Sequence, residues 1–171
     1  MVCKGTNHSP DSFKICIPAI AQRTLDDTPL TVKKAQLLDP TPDSISVSLD
    51  TKLDIPLKAT TIKTEPFTLE LFNRETKPRQ PYLNLDLPQY TLRGTSEMQI
   101  SNTNAPFASQ TEFMKVLSNA LHSTEFKLSA RGSTKGHISG ALHSDLTLDK
   151  NVKLEGTRFP SLTQLTHTML K

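Results

Sequence analysis

Between Ser44 and Ile55 the chain reads SISVSLDTKLDI, with Ile45, Val47, Leu49, Leu53 and Ile55 on alternate positions and Thr51 keeping the phase. Ser44, Ser46, Ser48, Asp50, Lys52 and Asp54 fill the other positions. A period of two sustained this long predicts an extended strand with one dry and one wet face. Such a strand belongs to an antiparallel sheet, because a strand of a parallel sheet is buried on both faces and reads as a continuous apolar run. The rest of the chain is arranged around this strand.

Upstream, residues 1–12 are polar and read as a lead without order. Phe13 to Ala21 is apolar but short and interrupted by Pro18, and reads as either a segment docking on the sheet or the remnant of something larger upstream. Leu30 to Leu38 is a first, less regular strand. The turn Asp39-Pro40-Thr41-Pro42-Asp43 follows, where proline fixes φ and aspartate side chains cap neighbouring amides. Downstream, alternation returns in Pro66–Phe72 and Tyr82–Leu87, and again in Tyr90–Ile100 with a bend expected at Gly94. Phe72 falls on the wet side of its strand and suggests that part of that face is covered too. The period then becomes helical: Phe113, Val116, Leu117, Ala120 and Leu121 predict an amphipathic helix over 110–121. Ser109 and Glu112 form a capping box at its start. Strands are expected again at 125–130, 141–148 and 152–154, with Gly132, Gly136 and Gly140 marking turns. About seven short strands and one late helix describe a mainly β chain. The expected form is an antiparallel β-sandwich or half-open barrel over residues 13–157, with 158–171 as a C-terminal extension.

At 171 residues the chain is long enough for one domain with a real core. The net charge is only +3 and the basic residues are dispersed. Nucleic-acid binding, which needs a basic stripe with interleaved aromatics, is therefore not expected. No apolar run reaches the length of a membrane span. Cys3 and Cys16 have neither a CxxC spacing nor a partner histidine, so a catalytic thiol is not expected; a bridge and two free thiols both stay open.

The search for chemistry returns little. His137 and His143 share a face only if their strand is unbroken, and Gly140 lies between them. His122 ends the predicted helix, while His8 and His167 lie in terminal segments. No metal site and no cofactor are expected. Asp145, Asp149 and Glu155 read as wet-face or turn residues, and no nucleophile elbow or phosphate loop is present. Geometry offers the one opening. A sheet with a helix across it leaves room for an apolar cleft, lined on one side by Phe113, Leu117 and Leu121. Phe67, Leu69, Leu83, Leu85 and Phe126 would line the other side, and such clefts take lipids or terpenoid-sized ligands.

Several runs resemble a known family: IPAIAQRTLDDTPLTV at Ile17–Val32, PFTLELFNRET at Pro66–Thr76, PYLNLDLP at Pro81–Pro88, FKLSARGSTKG at Phe126–Gly136 and LTLDKNVKLEG at Leu146–Gly156. They are similar to a fungal family of uncharacterised, membrane-anchored proteins related to the type-2 late-embryogenesis-abundant (LEA-2-like) domain, itself an immunoglobulin- or fibronectin-like β-sandwich with one helix. That family has a membrane helix just ahead of the position of Phe13, and many members continue into a second β-rich half; neither is found here. The chain therefore reads as a trimmed domain or a stand-alone soluble relative. The resemblance implies a role near the vacuolar or cell-surface membrane and transfers no catalytic residues.

Three functions follow as expectations. The first is a non-enzymatic domain binding an apolar ligand, a lipid surface or a protein partner. The second is a cofactor-free cyclase or pericyclase of fungal secondary metabolism that works by confinement, with Tyr82, Tyr90, His122 or Arg131 aimed inward. The third is a structural stress-protection domain without a pocket.

Overall fold

The computed structural model describes residues 10–55, 61–74, 79–122, 128–138 and 142–154. In chain order the elements are α1 (Pro10–Asp27), β1 (Leu30–Leu38), β2 (Ser44–Asp54), β3 (Ile62–Thr64), β4 (Phe67–Asn73), β5 (Pro81–Leu87), β6 (Thr91–Leu92), β7 (Thr95–Pro106), α2 (Gln110–His122), β8 (Leu128–Ile138) and β9 (Leu142–Leu154). The anchoring alternation becomes β2 as expected: Ile45, Val47, Thr51 and Leu53 are buried, and the strand pairs antiparallel with β1 on one side and β7 on the other.

One sheet runs in the order β5-β4-β8-β9-β1-β2-β7, with β3 and β6 attached beside it. The two short strands are pieces of longer tracks. β3 and β4 follow each other along β8, joined at the bend by the Glu65 amide donating to the Lys135 carbonyl at 2.9 Å. β6 continues β5 past Pro88, and the Thr64 amide bonds the Tyr90 carbonyl at 2.9 Å across that break. The nine strands therefore make seven tracks. The two ends of the sheet meet where Leu83 and Phe107 form an isolated bridge, and the Ala108 amide donates to the Tyr82 carbonyl at 3.1 Å. The result is a mixed sheet curled into a nearly closed barrel, not a clean antiparallel sandwich.

The departure from antiparallel pairing lies at β1 and β9, which run parallel with Leu30 opposite Val152. A parallel neighbour requires a crossover, and alternation along either strand carries no information about which distant strand it joins. A second correction is α1. The segment at Phe13–Ala21 lies within an 18-residue helix, so residues 10–12 are part of a helix and the described residues hold two helices. Pro18, an ordinary helix breaker, hides it from a reading of the sequence. A third concerns Gly132 and Gly136, which lie inside β8 and not in turns. An added Cβ at Gly132 would stand 3.0 Å from the Phe67 ring and from the Thr68 carbonyl oxygen, so crowding inside the barrel is what calls for glycine there. The expected break at 149–151 is likewise continuous β9.

Local signals fared better. Gly94 has φ +57° at the β6–β7 turn. The Ser109 hydroxyl accepts the Glu112 amide at 3.3 Å and starts α2. In the Asp39–Asp43 turn the capping is done by Thr41, whose hydroxyl accepts the Ser44 amide at 2.9 Å, and not by aspartate. Phe72 is buried, as its position suggested.

The core has two clusters. One gathers Ile45, Val47, Leu69, Leu83, Leu85 and Ile100 with Phe113, Val116 and Leu117 of α2. The other gathers Leu30, Leu53, Ile62, Leu92, Ile138 and Leu146 with Ala21 and Leu25 of α1. Each helix thus seals its own part of the barrel. Among the described residues no helix is long and apolar enough to cross a membrane. The segments 1–9 and 155–171, with Cys3, His8, Glu155 and His167, lie outside the described residues.

Candidate functional site

Where the inward-facing side chains of the strands fail to meet, they leave a space. The barrel interior holds a partly open cavity of about 160 Å³ bordered by residues of both core clusters. Leu25 and Leu30 reach it from one cluster, Phe113 and Leu117 from the other. Its wall is made of Leu, Val, Ile, Ala, Phe, Met, Gly, Thr and Tyr; no carboxylate, imidazole, ammonium or guanidinium residue lines it among the described residues.

The expected cleft residues divide as follows. Phe67, Leu69, Leu83, Phe113 and Leu117 line the cavity. Leu85 is fully buried in the first cluster but does not border the space. Leu121 has its backbone on α2 and its side chain outside the described residues, as does His122; Phe126 lies outside them altogether. The space sits within the barrel, with α2 closing it, instead of running between a sheet and a helix laid across it.

Of the polar candidates, Tyr82 and Tyr90 both belong to the wall. Tyr82 packs 6.2 Å from Phe113, centroid to centroid, and Phe113 in turn lies 4.8 Å from Phe107. Burial pushes the phenols of Tyr82 and Tyr90 upward, so both stay neutral well above pH 7. The Tyr90 Oη is buried and has no hydrogen-bond partner among the described residues. Arg131 faces away from the cavity: it bonds Asp149 at 3.2 Å and lies 5.6 Å from the Phe72 ring centroid. Asp145 and Asp149 are on outward, solvated stretches of β9, and Asp149 also faces Arg79 at 3.9 Å.

One pairing escaped sequence reasoning. β8 and β9 form an unbroken hairpin ladder that sets His137 directly opposite His143, with ring centroids 4.4 Å apart. The His137 Nε2 also lies 3.3 Å from Glu65 Oε1. Their six-residue spacing gives a shared face only along one unbroken strand, and the register places them instead on two. Among the described residues, no group of three or more His, Cys, Asp and Glu is placed to hold a metal ion.

The profile of a family described as "Protein of unknown function (DUF3712)" matches residues 80–170, more than half of the chain. The chain belongs to the DUF3712 family. None of the curated proteins matches it. Among solved structures, this DUF3712 chain is similar to a crystal structure of a protein from Archaeoglobus fulgidus, at 6% identity and TM-score 0.36, covering 74% of this chain and 99% of that one. It is also similar to the solution structure of an Arabidopsis thaliana protein, at 10% identity, TM-score 0.34 and coverages of 78% and 85%. A third is the solution structure of a protein provisionally assigned as late embryogenesis abundant (LEA), at 11% identity, TM-score 0.37 and coverages of 85% and 91%.

Proposed function

We propose that this DUF3712 chain is a non-enzymatic binding domain that holds an apolar ligand inside its barrel. The observation that supports the reading is the apolar cavity, whose about 160 Å³ is large for a void in a close-packed interior. At roughly 24 cal/mol per Å³, leaving such a space empty costs about 4 kcal/mol. Water is a poor filler, since a buried water needs two to four polar partners and this wall offers very few. An apolar guest removes the cost without adding an unmet polar group. A cavity of roughly 150 Å³ is the size that takes a benzene-sized molecule, so the guest is slim: a short acyl or alkyl segment instead of a bulky terpenoid.

The confinement-enzyme reading draws support only from the two wall tyrosines. The wall pairs neither of them with a base or an acid, so binding is the reading the geometry favours. A membrane-proximal setting, implied by the sequence resemblance, would supply such guests from lipid.

The test is native mass spectrometry of the protein purified from its own host, followed by solvent extraction. A retained small apolar molecule released by the solvent is the expected outcome. A protein that is empty as purified and takes up no hydrocarbon afterwards overturns the proposal.

A further inference from the structure

Among the described residues, three side-chain polar atoms are buried without a partner: Asn84 Oδ1, Ser129 Oγ and Tyr90 Oη. Asn84 and Ser129 do not border the cavity, whereas Tyr90 does. Three of the four wall threonines make side-chain hydrogen bonds, none of them to the Tyr90 hydroxyl. Thr64 Oγ1 accepts the Tyr90 amide at 3.0 Å, Thr51 Oγ1 donates to the Met98 carbonyl at 3.1 Å, and Thr134 Oγ1 donates to the Glu65 carbonyl at 2.9 Å. The Tyr90 hydroxyl thus keeps a donor without a partner among the described residues, in a wall whose other polar side chains are Tyr82 and four threonines. The hydroxyl is buried, while the Tyr90 side chain as a whole is partly buried and borders the cavity. Unpaired buried polar atoms are rare in native proteins because each forfeits its hydrogen bonds to water.

Resting on the binding reading above, we infer that Tyr90 is the specificity residue of the barrel and that the guest is a neutral, singly oxygenated apolar molecule. An alcohol, aldehyde, ketone or ester would accept the Tyr90 hydrogen bond and bury its carbon chain against the leucines. Neutrality follows from the wall. A carboxylate placed there would meet no lining cation, and an unpaired buried charge is far costlier than an unpaired hydroxyl. Lys150, on the same strand as Leu148 and Val152, is no substitute: it is not part of the wall and its ammonium donates to the Asp26 carbonyl at the end of α1. Burial raises the phenol of Tyr90, which keeps its proton available to donate.

Headspace partition tests this with n-heptane, 2-heptanone and heptanoate on the delipidated full chain and on its Tyr90→Phe variant at pH 7. Wild type is expected to bind heptane and 2-heptanone, and to bind heptanoate more weakly than the ketone. Tyr90→Phe should lower ketone affinity about three- to tenfold, the range of one net hydrogen bond, while heptane binding holds within about twofold. Because the removed oxygen has no internal partner, the urea midpoint of the ligand-free variant should equal or exceed that of wild type. If both neutral probes bind and Tyr90→Phe changes neither, the assignment of Tyr90 is overturned and the binding barrel stands. Heptanoate binding as tightly as the ketone overturns the neutrality of the guest. A fall in the ligand-free midpoint shows that the hydroxyl has a protein partner and overturns the assignment as well. If wild type binds neither heptane nor 2-heptanone, the binding barrel itself is overturned.

Discussion

Gly136 lies so tightly beneath the buried side chain of Leu146 that a methyl group added there would overlap its Cγ and Cδ1 atoms. Gly136→Ala should therefore cost roughly 1–3 kcal/mol by overpacking, read as a lower urea midpoint. Leu146 also lines the cavity, which adds a twist. Extraction of the guest gives Leu146 room to retreat, so the penalty should shrink in delipidated protein; a penalty unchanged by extraction would mean the space is closed to it. Tyr82 governs alkaline behaviour. Its folded phenol is held well above the ordinary value near 10 by burial, so the folded protein keeps the proton after the unfolded chain has lost it. That stability is complete below pH 10 and is lost as pH rises through and beyond it. Urea midpoints should thus fall between pH 9 and pH 11, and Tyr82→Phe should fall less over the same interval. Single residues also mark the limit of what could be read in advance. Alternation placed Phe67, Leu69 and Leu83 on inward faces, because facing inward is a property of period two. It could not say that those side chains stop short of one another, since a void depends on strands brought together from all along the chain. Tyr90 was open to recognition as a polar residue among apolar ones; its lack of a partner was not, because that depends on Thr64 and the neighbouring wall.

At the scale of elements, strands and the second helix were legible wherever the signal was local. The long alternation of β2, the Ser109 cap of α2 and the Gly94 bend each express short-range sterics or hydrogen bonding. α1 was not, since Pro18 contradicts the helix that docking on the sheet maintains. How it docks is specific. The Gln22 side-chain amide donates to the Thr147 carbonyl at 2.8 Å and its oxygen accepts the Thr147 amide at 2.9 Å, so it pairs with the β9 backbone as a neighbouring strand would. The parallel partner β1 reaches only the far end of β9, at Val152–Leu154, and Gln22 serves a stretch that β1 does not. Buried Lys150 adds a bond to the Asp26 carbonyl, and Thr28 closes the helix by donating to the Thr24 carbonyl at 2.6 Å. Gln22→Ala should cost about 1–2 kcal/mol, given two net hydrogen bonds. Its clearer signature is faster hydrogen exchange at the Thr147 amide with protection elsewhere in β9 retained. Uniform loss of protection would instead mean that α1 and the sheet open as one unit.

For the molecule as a whole, the seven tracks and the two helices of the described residues surround one interior, and the antiparallel expectation failed at the seam where β1 meets β9. No local pattern encodes that seam, because its partners come from opposite ends of the described chain; the Gln22–Thr147 bonds beside it span 125 positions. Its consequence lies in how the protein is made. A ribosome adds roughly 5–20 residues per second, so β1 leaves the exit tunnel on the order of ten seconds before β9 exists. During that time β1 and β2 can pair, yet one edge of β1 lacks its neighbour and the future interior stays exposed. Nascent chains stalled before Leu142 should remain protease-sensitive, and protection should appear only once β9 has emerged. Refolding from urea should be slow for a chain of this size, since distant pairings must close before they contribute. A cell that makes this barrel must guard a half-finished, adhesive sheet on every round of synthesis, so its yield should track the supply of chaperones more closely than the stability of the finished fold.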